Sequence, residues 1–382
     1  MKRIVQSIGV LALVVFAIRP AGGQQIGKYV PIPAGSDADH ALTEINATAD
    51  PAQKLALLDK FSSSVAQGDM AIVADDLYVN YYIAQKNYDK AFEYGDKLFA
   101  LDPNNLSNMV NMIRAASEKG DSDKLITYGE KLPGILQRFK ESPAPAGEEP
   151  EAWQRQKAAT LESNKDNINY IEEAVYMVDY RTPSAAKRAA QMTHFAQIFP
   201  DSPYANQALG VAAASYQQAQ NIPKMLEVAD GLLAKDPNNI GMLLLLSDYY
   251  SEKGEQLDKA ETSANKAIAL LGSAQKPESV TDEQWQQEIS LQKGLALSSL
   301  GQVSIQKKDN AHAVDNFEAA APLLKPNEGS YGRNQYWLGF ALLNLKRNAE
   351  AKEAFTQSAS VNSAYKSLAQ AKLKTFAGAS RH

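Results

Sequence analysis

The chain has 382 residues, of which 45% are apolar and 22% charged, with a formal net charge of −5, no cysteine and four histidines. The missing cysteine removes disulfides, thiolate metal sites, cysteine nucleophiles and a cysteine lipid anchor, and the scattered His40, His194, His312 and His382 argue against a histidine metal cluster or triad. The acidic balance leaves no basic footprint for nucleic acid, and alanine, the commonest residue and the best helix former, points to packed helices rather than sheets.

In chain order, Lys2 and Arg3 precede an apolar run from Gly9 to Ile18, which Arg19-Pro20 breaks before the small residues Ala21-Gly22-Gly23. A positive start, a short apolar stretch and a small-residue site predict a secretory signal peptide over 1–23, with Gly23 as the last residue removed. Gln6 and Ser7 interrupt the only extension that would make the run long enough to span a membrane. The expected location is therefore across the inner membrane, in the periplasm or at the envelope, with no integral span after signal removal. Residues 24–38 hold Pro31, Pro33, Gly27 and Gly35 and predict an extended lead-in.

From about Asp39 onward the apolar spacing is helical almost everywhere. Residues 51–66 predict an amphipathic helix. Next, Tyr88–Leu101 ends in Asp102-Pro103-Asn104-Asn105, and Asn221–Lys235 ends in Asp236-Pro237-Asn238-Asn239. Both read as a helix, a stop and a turn. A second amphipathic helix stands upstream of each, over 76–85 and 205–219. The unit is thus helix, turn, helix, stop. Ala91 and Leu125 hold the same place in consecutive units, as do Tyr216 and Tyr250, at a period of about 34 residues.

These features resemble the tetratricopeptide repeat (TPR) family. Its first-helix signature is matched at Leu297-x-x-Leu300-Gly301, Gln335-x-x-Leu338-Gly339-x-x-Leu342, Leu209-x-x-Ala212-Ala213-x-x-Tyr216 and Leu243-x-x-Leu246-Ser247-x-x-Tyr250. Its second-helix signature is matched at Ala313-x-x-x-Phe317-x-x-Ala320, Ala351-x-x-x-Phe355 and Ala260-x-x-x-Ala264-x-x-Ala267. Small residues at 301, 313, 339 and 351 let helix axes close to about 8–10 Å. Phe317, Phe355, Tyr216 and Tyr250 are expected to fill the gaps between neighbouring pairs. The resemblance implies an all-α fold, a right-handed superhelical solenoid of about six to seven antiparallel helix pairs. It covers 72–130 and 204–360 well. Leu125 replaces a small residue, Pro133 falls inside an expected helix, and 140–152 reads as a Pro/Glu-rich insertion in solvent. The expected organisation is a signal over 1–23, a lead-in over 24–38, a repeat domain over 39–377 and a tail over 378–382.

No phosphate-binding glycine loop, His-Glu-x-x-His or Gly-x-Ser-x-Gly occurs. Asp121-Ser-Asp123 reads as an inter-helix turn, His194 as a structural histidine, and Trp153, Trp285 and Trp337 as packing residues. The expectation is a non-enzyme without cofactor or metal, binding a protein or peptide on the concave face that the first helices line. Candidate contacts there are Asn80, Asn111, Arg114, Gln207, Gln217, Asp248, Gln302, Arg333 and Tyr336. TPR clamps for a terminal carboxylate carry asparagines at places like 80 and 111, but Asp76 stands where such a clamp would have a lysine. The alternatives are a structural subunit buried in an envelope assembly, marked by an exposed apolar patch, or an enzyme or carrier near the irregular third unit.

Overall fold

The computed structural model describes residues 25–64 and 68–379, and these are all helix, turn and loop. The expected signal peptide over 1–23 lies outside the described residues. The chain divides into two compact units, residues 1–182 with 194–205, and residues 183–193 with 206–382.

The first unit contains α1 (Asp37–Ala47), α2 (Pro51–Ser64), α3 (Met70–Ala84), α4 (Tyr88–Leu101), α5 (Leu106–Lys119), α6 (Ser122–Gly129), α7 (Leu132–Glu141), α8 (Pro150–Ser163) and α9 (Lys165–Tyr180). α10 (Ala185–Ile198) is divided between the units. The second unit contains α11 (Ala205–Gln218), α12 (Ile222–Lys235), α13 (Ile240–Lys253), α14 (Leu257–Ser273), α15 (Asp282–Gln306), α16 (Asn310–Leu324), α17 (Glu328–Asn344), α18 (Asn348–Ser360) and α19 (Lys366–Ala379). The fold is a TPR-like stack of helix pairs.

One local device recurs. Six first helices end on a left-handed residue, namely Lys86, Gly120, Gln220, Gly254, Lys308 and Lys346. After each, the next N–H donates back across the last turn, for example Asn87 to the Tyr82 carbonyl at 2.9 Å, Asn221 to Tyr216 at 2.8 Å and Asp309 to Ser304 at 2.8 Å. This closure satisfies carbonyls that a helix end leaves orphaned. Asn87, Asp121, Asn221 and Asp309 then cap the second helix by accepting a backbone N–H on their side chains.

The paired helices close on the small residues that the sequence marks. A Cβ on Gly301 would lie 2.6 Å from the Phe317 ring, and one on Gly339 would lie 2.8 Å from the Phe355 ring. Phe317 and Phe355 are fully buried. They fill the contact inside a pair, α15 on α16 and α17 on α18, rather than the gap between pairs that the sequence suggested.

The irregular region is also different from the expectation. α6 stops at Gly129, where a Cβ would collide with the Val175 side chain of α9. α9 therefore packs directly on α5 and α6 as the next first helix. The insertion is a whole helical hairpin, α7 and α8, and not the short stretch 140–152. Pro133 is no defect, because it sits in the first turn of α7, where a missing N–H costs nothing. The hairpin's loop is held at its base. Lys157 is 3% exposed, and its Nζ donates to the Lys140 and Ser142 carbonyls at 2.6 and 3.0 Å. Trp153 Nε1 donates to the same Ser142 carbonyl at 3.0 Å.

Candidate functional site

In the first unit, the face of α3 and α5 turned away from the core carries a polar row. Asp76 and Asn80 are one turn apart on α3, and Asn111 and Arg114 are one turn apart on α5. Asn80 Nδ2 donates to the Asp76 carbonyl at 2.8 Å and to its Oδ2 at 3.2 Å. Asn111 Nδ2 reaches Asn80 Oδ1 at 3.5 Å, and Arg114 Nη2 donates to Asn111 Oδ1 at 3.3 Å. Arg114 is exposed and makes no ion pair among the described residues. Burial pushes the Asp76 carboxyl up from its usual 3.8 to about 6, with no cation beside it to offset the cost.

In the second unit, Arg333 of α17 crosses α15 to reach α13. Its Nη1 donates to Asp248 Oδ1 at 2.6 Å, and its Nη2 lies 3.4 Å from Glu252 Oε2 and 3.2 Å from Gln302 Oε1. The Arg333 side chain is 20% exposed. α13, α15 and α17 thus curve enough for one side chain to bridge helices two pairs apart. The network is incompletely satisfied. Gln302 Nε2, Arg333 Nε and, one turn along α17, Trp337 Nε1 are buried without a partner.

The expected contacts therefore separate. Asn80, Asn111 and Arg114 share one row. Asp248, Gln302 and Arg333 share another and are tied to each other. Gln302 is 4% exposed and Tyr336 is 9% exposed, so neither is the exposed lining residue that helical spacing suggested. Tyr336 is a core residue, because its ring packs against Phe340, Phe355 and Tyr365 with centroids 5.0, 5.7 and 5.1 Å away. Gln207 is exposed and Gln217 half-buried on α11, apart from either row. Glu252 and Asp76 were missed as members. Their spacing to Asp248 and Asn80, four residues on the same helix, was the available signal.

Asp121 caps α6, and His194 is exposed, 3.2 Å from Glu130. Among the described residues no group of three or more His, Asp or Glu side chains is arranged to hold a metal ion. No helix among them is long and apolar enough to cross a membrane.

Residues 332–365, spanning α17 and α18, match the sequence model of the tetratricopeptide repeat. No curated protein sequence matches the chain. Among solved structures the chain is similar to one in the APC/C hetero-tetramer Cut9-Hcn1, at 12% identity and a TM-score of 0.44, covering 88% of this chain and 62% of that one. It is also similar to yeast Tom70, at 10% identity and a TM-score of 0.39, covering 93% of this chain and 67% of that one. A third similarity is to the apo form of the quorum sensor NprR from B. thuringiensis, at 12% identity and a TM-score of 0.30, covering 85% and 74%. The chain spans less than two thirds of the chain in the Cut9-Hcn1 complex.

Proposed function

We propose that the chain is an exported protein-binding scaffold of the cell envelope that holds a partner segment on its first helices, chiefly along Asp76, Asn80, Asn111 and Arg114. The observation that carries this reading is the polar row on α3 and α5. It places a desolvated carboxylate and an arginine without a counter-ion on a face where neither stabilises the fold. A carboxylate held at such a cost is suited to a partner that supplies its missing contacts, and the exposed arginine beside it is free to take a partner's charge. The amides of Asn80 and Asn111 each offer both a donor and an acceptor, which suits an extended peptide backbone. Asp248, Gln302 and Arg333 form the corresponding row of the second unit, with buried donors still open.

Burial as a structural subunit is the weaker reading. The large exposed apolar side chains, Tyr29, Leu101, Tyr170, Tyr180, Leu345 and Leu368, are distributed over the lead-in, α4, α9, the end of α17 and α19. The test is site-specific photo-cross-linking in intact cells, with the photoreactive side chain at Asn111 or, on the second helix α4 of the same unit, at the exposed Lys97. A discrete adduct from position 111 that disappears with Arg114→Ala supports the reading. Equal adducts from both positions overturn it. The intact mass of the envelope form tests export separately, since it must lack residues 1–23.

A further inference from the structure

The extended lead-in is anchored to the start of α5. Ile26 is 1% exposed, and its carbonyl accepts the Leu106 N–H at the start of α5 at 3.1 Å. The Lys28 N–H donates to Asp102 Oδ2 at 2.7 Å. Gly27 between them has φ +133°, and a Cβ there would stand 2.7 Å from that same Oδ2. Only glycine suits both the backbone and the space. An extended segment of the form apolar–Gly–X therefore fills the slot formed by Asp102-Pro103-Asn104-Asn105 and the first N–H of the helix that follows.

The same slot is built a second time. Asp236-Pro237-Asn238-Asn239 leads into α13 as Asp102-Pro103-Asn104-Asn105 leads into α5. Asn104 N–H donates to Asp102 Oδ1 at 3.2 Å, and Asn238 N–H donates to Asp236 Oδ1 at 3.1 Å. Asn105 caps α5 through the Asn108 N–H at 2.9 Å, and Asn239 caps α13 through the Met242 N–H at 3.1 Å. Arg138 Nη2 donates to the Pro103 carbonyl at 3.1 Å, and Lys266 Nζ donates to the Pro237 carbonyl at 2.7 Å. The two groups that hold the strap in the first slot are free in the second. Among the described residues, Asp236 Oδ2 accepts nothing and the Ile240 N–H has no acceptor. Asp102, Asn105 and Leu106 are buried, whereas Asp236, Asn239 and Ile240 are only half-buried.

We propose that the Asp236–Ile240 turn is a docking slot for an extended partner segment of the form apolar–Gly–X, bound as residues 26–28 are bound at Asp102–Leu106. The apolar residue's carbonyl accepts the Ile240 N–H. The N–H two residues later donates to Asp236 Oδ2, so that residue is not proline. The half-exposed Ile240 side chain supplies the apolar floor. The occupant is a segment of another protein rather than the strap of a second copy. Each copy's Ile26 is already buried in its own first slot, where the linked strap outcompetes any free one. This slot lies at a helix start and is independent of the first-helix faces proposed above.

The test uses the full exported chain and a fluorescent peptide of the strap sequence, Gln-Gln-Ile-Gly-Lys-Tyr-Val, followed by anisotropy. Binding is expected at one site per chain. Asp236→Ala weakens it by about tenfold, the size of one charge-assisted hydrogen bond. Ile240→Pro weakens it at least as much, by deleting the N–H together with part of the apolar floor. Proline is tolerated at the first helical position, and Asn239 already has the extended ψ of 100° that precedes proline readily. A peptide with valine in place of glycine does not bind. Unchanged binding in both variants, or no saturable binding of the strap peptide to the wild-type chain, overturns the proposal.

Discussion

Asp76→Asn should stabilise the protein at neutral pH and leave it unchanged in acid. The Asp76 carboxyl titrates at about 6 in the fold against about 3.8 when unfolded, because burial disfavours its charge. A pKa raised on folding means that the native state holds its proton more tightly than the unfolded chain. Below about pH 3.8 both states are protonated and nothing is lost. As pH rises through the window from 3.8 to 6, ionisation favours the unfolded chain and stability falls. The full cost at neutral pH is at most about 3 kcal/mol, at about 1.4 kcal/mol per pKa unit. Asparagine is isosteric, never ionises and can still accept the Asn80 Nδ2 bond. Urea unfolding of the wild type and the variant at pH 4 and pH 7.5 gives the comparison. The difference should be near zero at the lower pH and up to about 3 kcal/mol in favour of Asp76→Asn at the higher. Asp75 is the internal control, because burial raises it too but Lys97 pulls it back. Its asparagine variant should show a smaller gain. A gain for Asp76→Asn that is equal at both pH values would refute the desolvation argument.

Adding a methyl group at Gly301 or Gly339 drives it into the buried rings of Phe317 or Phe355, so each alanine variant should lose about 1–3 kcal/mol in thermal unfolding. Gly272→Ala, with nothing within 4 Å of its new Cβ, should be neutral or slightly stabilising. Arg333→Ala strands Asp248 and opens the link from α17 to α13, with an expected loss of about 1–3 kcal/mol. Arg114→Ala should stay within about 0.5 kcal/mol of wild type, and the same unfolding curves check both. Lys157→Met keeps the packing length but removes both bonds to the end of α7, so protease cleavage within 142–149 should accelerate while the rest of the chain stays resistant.

The helix pairs were legible because their signals are local. Gly301 and Phe317, or Gly339 and Phe355, meet within one repeat, so residue size at fixed spacing reports the contact directly. The two Asp-Pro-Asn-Asn stops were legible for the same reason. The left-handed ends at Lys86, Gln220, Lys308 and Lys346 were not, since no glycine marks them and the conformation is carried by the back-donated hydrogen bond. The lead-in was legible as extended chain, but not its anchorage on α5. What fixes it is the carboxylate of Asp102, 74 residues from Lys28, and no window of sequence holds both. Pro133 was read as an error in α6 because helical spacing continues across it, whereas the chain uses it to start α7.

The candidate contacts were half legible for a geometric reason. Periodicity says which side of a helix is polar, but not whether that side meets solvent or another helix. On α13, α15 and α17 the curvature of the stack turns the polar sides toward one another. Arg333 therefore meets Asp248 and Glu252 instead of a partner, and Gln302 becomes buried. On α3 and α5 the row is shorter of charge, and Arg114 finds only an amide. This difference sets the direction of recognition. An acidic partner at Arg333 must displace two carboxylates that already hold the guanidinium, one at 2.6 Å. The same partner at Arg114 displaces none. A donor from that partner to Asp76 would also repay part of its desolvation, drawing its pKa down and releasing a proton on binding near pH 6. On the proposed reading, the first unit is the face on which a partner's charge is gained in full, and capture there should tighten as pH rises toward about 6 and level off above it.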